Sequence, residues 1–198
     1  MRTLLCTIAS LALLVSPAQS QVAYYGRLGL TASTKLIRDA VVQEIDVQPG
    51  LAPTIALGAS VPFAPTYRAG LEASLTSSGF HSSELGVETD LGTLRTGSLL
   101  LNLEGPLAPR LSWRGGFGVI RYWPADQEGI FLRGGTSRFL AGAGMDYLAP
   151  LLASWDLMIS LRYDFHRFTT DELSARGFIG SQGVQRLSLS AGLARARR

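Results

Sequence analysis

From residue 24 to residue 194 the chain repeats one motif, apolar side chains at every second position with small or polar ones between them. In the first run, 24–33, Leu28, Leu30 and Ala32 share one parity while Arg27, Gly29 and Thr31 share the other. Successive side chains of a strand point to opposite faces, so a period of two predicts a strand with one apolar and one polar face. The pattern returns at 53–63, where Ile55, Leu57, Ala59 and Val61 alternate with Thr54, Gly58 and Ser60, and again at 67–76. It recurs at 94–104, where Leu100 breaks the polar face, and at 111–123, 138–147 and 184–194. The clearest run is 155–166. There Trp155, Leu157, Ile159, Leu161, Tyr163 and Phe165 oppose Asp156, Ser160, Arg162, Asp164 and His166, with only Met158 out of place. Each of these runs is close to the ~9–11 residues with which a tilted strand crosses a bilayer.

The connections alternate as well. PFAPT, GPLAPR and LAPLLAS are short and contain proline, whereas the segments near 35–50, 77–90, 124–136 and 169–183 are longer and polar. Short turns at one end and long loops at the other are the hairpin asymmetry of transmembrane barrels, with the long loops facing away from the cell. Tyr67, Trp113, Tyr147 and Trp155 fall on the apolar face near the proline turns, and Trp123, Tyr163 and Phe165 fall toward the long loops. Aromatic residues at those two heights belong at the membrane–water interfaces. A soluble sandwich or lipocalin-like barrel also alternates, but it turns its polar face to water and fills it with Lys and Glu. Here that face is mainly Gly, Ser and Thr with scattered charges, which suits a narrow lumen with room only for side chains. The expected fold is all-β, an eight-stranded antiparallel up-and-down transmembrane β-barrel.

Composition narrows the chemistry. The opening MRTLLCTIASLALLVSPAQSQ has the charged start, apolar core and small-residue end of a secretory leader. Residues 1–20 are therefore expected to be removed and 21–198 to form the barrel. The apolar run at 4–15 falls short of the ~20 residues a spanning helix needs. Cys6 is the only cysteine, and it lies near the start of that run rather than after it, which argues against lipidation; the exported part is expected to lack disulfides and thiolate chemistry. With two histidines, His81 and His166, a multi-histidine metal site is not expected, and no cofactor is indicated. The net charge of +3 comes with interspersed acids rather than a basic block, so no nucleic-acid partner is indicated. The final LARARR reads as a solvated tail.

On these residues the chain resembles the small eight-stranded outer-membrane barrels of the OmpA/OmpX kind. The run RYDFHRFTTDELSARGF, 162–178, is similar to segments of outer-membrane barrel proteins without an assigned activity. The resemblance implies export to the outer membrane of a Gram-negative-type envelope, with outer-membrane lipid and the outer-membrane assembly machinery as partners. Barrels of this kind end on an aromatic residue; this chain ends Arg197-Arg198, so Leu193 has to stand in for that signal.

If the polar face lines the lumen, its charges sort by height. Arg27, Arg68, Glu72, Glu104, Arg114, Asp146 and Asp156 fall in the lower half, and Arg138, Arg162, Asp164, His166 and Arg186 fall higher. A charge in a poorly hydrated interior has to be paired, so these residues are expected to form a plug. A catalytic alternative uses His166 as base with Asp164 as its orienting acid near the outer rim; the resemblance to small outer-membrane barrels implies it only in that some of them are lipid A acylhydrolases or acyltransferases. No partner serine is evident, because the residue two beyond His166 is Phe168. The tetrapeptide His81-Ser82-Ser83-Glu84 has suitable residue types but reads as a solvated loop. A third class of function is a binding surface on the long loops, as in Leu36-Ile37-Arg38-Asp39 and Gly129-Ile130-Phe131-Leu132-Arg133, whose apolar members are expected to extend hairpins above the membrane. Gly115-Gly116 and Gly134-Gly135 lack phosphate-loop spacing and read as room for packing and turns. The expected role is a plugged barrel with a structural or surface-interaction function, with a narrow diffusion channel as the alternative and a lipid A-modifying enzyme third. No extracellular ligand is indicated.

Overall fold

The alternating runs pair in sequence and close on themselves. A computed structural model describes residues 22–39, 45–84, 87–125, 129–175 and 181–195. The expected leader, Cys6 and the Arg197-Arg198 tail lie outside them. The strands are β1 (Ala23–Ser33), β2 (Ile37–Asp39), β3 (Ile45–Pro49), β4 (Ala52–Pro62), β5 (Arg68–Glu84), β6 (Val87–Ala108), β7 (Leu111–Pro124), β8 (Ser137–Leu152), β9 (Trp155–Phe168) and β10 (Gln182–Arg195). Eight of them, β1 and β4 to β10, form the closed antiparallel barrel. The seam is β1 on β10, in register from Tyr25↔Ala194 to Ser33↔Arg186.

Residues on the apolar parity face outward. Leu28, Leu57, Leu75, Leu101, Phe117, Phe139, Leu161 and Leu189 are all exposed, Leu28 at 66%. Apolar area of this extent has no place against water; it is the lipid-facing band of a transmembrane barrel. Tyr67, Tyr147 and Trp155 are exposed on this outer face near the short turns, with Trp113 half-buried beside Tyr67 (ring centroids 6.5 Å apart). Trp123, Tyr163 and Phe165 are exposed on it toward the opposite end.

Two expectations about the connections need correction. The segment 77–90 is not a polar loop: β5 runs 17 residues and β6 runs 22, so the hairpin continues as paired strand beyond the band. The segment 35–50 contains β2 and β3, and β3 adds to the extended part of β5. Above the bilayer no lipid selects one apolar face, so alternation fades although backbone pairing goes on. The loops are corrected too. Leu36, Ile130 and Phe131 do not project above the barrel but are buried in its mouth, because burial there removes apolar area from water.

Candidate functional site

The inward parity builds a lumen filled at several heights. At the short-turn end, Tyr25, Met158 and Ala194 pack together with Leu148 against them. Met158, out of place on a polar face, is thus part of an apolar floor.

Above the floor lies an ion-pair cluster centred on Glu72, which is 1% exposed. One carboxylate oxygen, Oε1, accepts from Arg27 Nη2 at 2.6 Å and Arg162 Nη1 at 2.7 Å. The other, Oε2, accepts from Arg114 Nη1 at 2.5 Å and from the Tyr25 hydroxyl at 2.7 Å. Arg114 also pairs with Asp146 at 2.7 Å and Glu104 at 3.4 Å, and its guanidinium carbon lies 4.4 Å from the centre of the Tyr25 ring. Arg27 donates to Ser160 Oγ at 2.5 Å, and Ser160 donates to Asp146 at 2.6 Å. Arg162 Nε donates to Asp164 at 2.7 Å. Three arginines therefore share four carboxylates (Glu72, Glu104, Asp146 and Asp164), the charged partners to which a planar guanidinium is best suited.

Glycines make the space. A Cβ at Gly58 would lie 2.2 Å from the Tyr25 hydroxyl, and one at Gly142 would lie 2.0 Å from the Asp164 carboxylate. Neither position tolerates a side chain while these groups stay where they are.

The remaining predicted network residues lie elsewhere. Arg68 donates to Ser60 near the foot of the barrel. Asp156 is half-buried at the start of β9. Arg186 donates to the hydroxyls of Thr76 and Thr96 at 3.0 and 3.3 Å, and Arg138 donates to the Thr169 carbonyl at 2.5 Å. The two predicted charge layers also merge, because Arg162 and Asp164 join the Glu72 cluster: the Arg162 side chain spans the rise between them. Tyr25 and Ser160 belong to the cluster but were not singled out from sequence, although both share the parity of its charged members.

Above the ions, Thr54 shares hydrogen bonds with Thr31 at 2.6 Å and Thr76 at 3.1 Å, and Thr31 shares one with Ser188 at 2.8 Å. The space between these hydroxyls and the ion pairs is a cavity of about 20 Å³, room for one or two water molecules. Higher still the lumen turns apolar. Leu94, Leu100, Ile120, Leu140, Phe168 and Val184 from the strands meet Leu36, Ile130, Phe131 and Leu173 from the connections. Phe131 lies within 6.1 Å of Phe80, 6.4 Å of Tyr122 and 6.0 Å of Phe168, measured between ring centres. The five-residue helix α1 (Asp171–Ala175) is held by Thr170, whose hydroxyl accepts from Leu173 N at 3.2 Å and donates to Ile130 O at 2.7 Å.

The catalytic alternative is not assembled. His166 is 1% exposed, and its Nε2 is hydrogen-bonded to the Tyr122 hydroxyl. Asp164, two residues back on the same strand face, is bonded to Arg162 instead. His166 Nδ1 has no hydrogen-bond partner among the described residues, so this base has neither its orienter nor a serine bonded to it.

No family model and no curated protein matches the chain. Among solved structures, Neisserial surface protein A is similar with a TM-score of 0.56 and 9% identity, over 88% of this chain and 96% of that one. The outer-membrane protein OprG of Pseudomonas aeruginosa is similar with a TM-score of 0.52 and 12% identity, over 89% and 95%. Ail, the attachment invasion locus protein of Yersinia pestis, crystallised with the heparin analogue sucrose octasulfate, gives a TM-score of 0.51 and 12% identity, over 87% and 98%. The chain has the fold of the small outer-membrane barrels. At these identities the likeness extends to the fold and not to activity.

Proposed function

We propose that residues 1–20 direct export, that 21–198 form a single barrel in the outer membrane, and that this barrel is a closed scaffold presenting a surface outside the cell. The filled lumen carries this reading. A floor around Met158, the Glu72 ion cluster and the apolar mouth around Phe131 lie one above another, leaving space for a water or two between the hydroxyls and the ions. A diffusion channel needs a continuous wet path, which this stacking does not offer. What remains available to partners is the loop end, where Arg133 pairs with Glu172 of α1 at 3.2 Å and the β5–β6 hairpin projects. Attachment surfaces on a rigid barrel fit this arrangement; Ail, of the same fold, was crystallised with a heparin analogue.

The test is single-channel recording of the refolded mature protein in a planar bilayer, after a heat-modifiable gel shift has verified the barrel. A silent membrane is the expected result. Discrete openings overturn the closed scaffold and turn Arg27, Glu72 and Arg114 into selectivity residues.

A further inference from the structure

The outward band has a pronounced hollow among the described residues. Gly97 of β6 leaves a gap in the lipid-facing surface, and the Trp123 ring leans over it: a Cβ at Gly97 would meet Trp123 at 2.6 Å and Leu75 at 3.3 Å. The result is a groove of about 450 Å³ walled by Ile55, Leu57, Leu75, Leu99, Val119 and Trp123. Arg121 lines the same groove toward its loop end, with its guanidinium carbon 5.7 Å from the centre of the Trp123 ring. Arg95 is exposed on β6, in register with Trp123, and Arg121 is in register with Gly97. The two cations are therefore diagonal neighbours on the outer face. Among the described residues, neither has an acidic partner.

A lipid-facing arginine is costly at the midplane and tolerable only toward an interface, where a counter-anion offsets its desolvation. Apart from Arg121 at the loop end, the walls named above are aliphatic or aromatic and have nothing to offer a polar ligand. The geometry points to a site for one phosphorylated, acylated lipid of the outer leaflet: its acyl chain lies in the groove, and its phosphate accepts hydrogen bonds from Arg121 and Arg95. Guanidinium forks match phosphate oxygens in pairs, and Trp123 marks the height at which a headgroup meets the chains. The site rests on the outer-membrane reading above and adds to it a lipid class and a position on the barrel.

The test uses the refolded mature protein in detergent micelles, checked by gel shift, and native mass spectrometry with bisphosphorylated lipid A or the same lipid stripped of phosphate. Wild-type protein is expected to retain one phosphorylated lipid per barrel and to release the stripped one. The R95Q/R121Q double variant is expected to bind about thirtyfold more weakly, the combined effect of two interfacial arginines on anionic lipid. Ala73→Trp, which fills the groove beside Leu75 and leaves both arginines in place, is expected to weaken binding as well. Equal retention of the two lipids by wild type overturns the site, as does unchanged binding in the double variant. A second copy of the chain occupying the groove, seen as a dimer free of lipid, overturns it too. Absence of the gel shift in wild type overturns the membrane reading itself; a shifted, monomeric barrel without lipid preference overturns only this site.

Discussion

Replacing Glu72 removes the anion that three arginines have in common. Glu72→Gln keeps the volume and one acceptor oxygen but leaves the guanidiniums of Arg27, Arg114 and Arg162 facing a neutral amide. Each arginine retains another acid: Arg27 has Asp146 at 3.5 Å, Arg114 has Asp146 at 2.7 Å, and Arg162 has Asp164 at 2.7 Å. The loss is therefore smaller than three separate broken pairs. Removing one partner of a buried pair destabilises by ~3–5 kcal/mol, and the shared anion places Glu72→Gln near the lower end of that range. Glu72→Ala also opens a cavity and falls near the upper end. Urea titration in lipid vesicles measures both, followed by the emission of Trp113, Trp123 and Trp155, the three tryptophans, all on the outer wall. Their indoles leave the interface for water on unfolding, so the signal reports global loss of the barrel. A stability within about 1 kcal/mol of wild type, the range of ordinary surface substitutions, refutes the view that this cluster holds the lumen together.

Two further substitutions probe other heights. Gly142→Ala drives a methyl into the Asp164 carboxylate, 2.0 Å away, and Arg162 Nη2, 2.8 Å away; a loss of ~1–3 kcal/mol is expected from overpacking, and an unchanged urea midpoint removes the tight contact from the account. Phe131→Ala empties the centre of the apolar mouth and is expected to cost ~3–5 kcal/mol, while bilayer recordings stay silent because the Glu72 layer lies below it. Openings in that variant assign closure to the mouth alone.

Which face each strand turns outward was legible in the sequence, because lipid on one side and a crowded lumen on the other impose opposite requirements on neighbouring residues. The identity of the lumen charges follows from the same parity. Which carboxylate meets which arginine does not, since that depends on barrel tilt and on side-chain reach: Arg162 joins Glu72 across the lumen, and Asp164 goes with it. The apolar mouth left a trace that was not read as one. Leu100 was noted as a break in the polar face; Leu94, Ile120, Leu140 and Val184 also fall on the inward parity, and all five are buried in the cluster at the loop end. Their partners Leu36, Ile130, Phe131 and Leu173 come from connections, where no periodicity says whether a side chain projects or tucks in. The partner of His166 is hidden from the sequence for a related reason. A histidine beside an acid on one strand face has the residue types of a catalytic pair, but Tyr122 on β7 takes the imidazole and Arg162 takes the acid.

The seam between β1 and β10 has a consequence for how the molecule comes into being. Tyr25 pairs with Ala194, so the contact that completes the cylinder joins residues near opposite ends of the described chain. No subset of hairpins can retire its free backbone edges before then, and open edges recruit other chains. Long-range pairing of this kind carries a large entropic barrier and forms slowly. The central acid has the same property: Glu72 of β5 receives Arg27 from β1 and Arg162 from β9, so its network cannot mature in any fragment lacking one of those strands. Closure and charge neutralisation are thereby one cooperative event, and an intermediate arrested short of it presents both an unpaired edge and unpaired arginines to its surroundings.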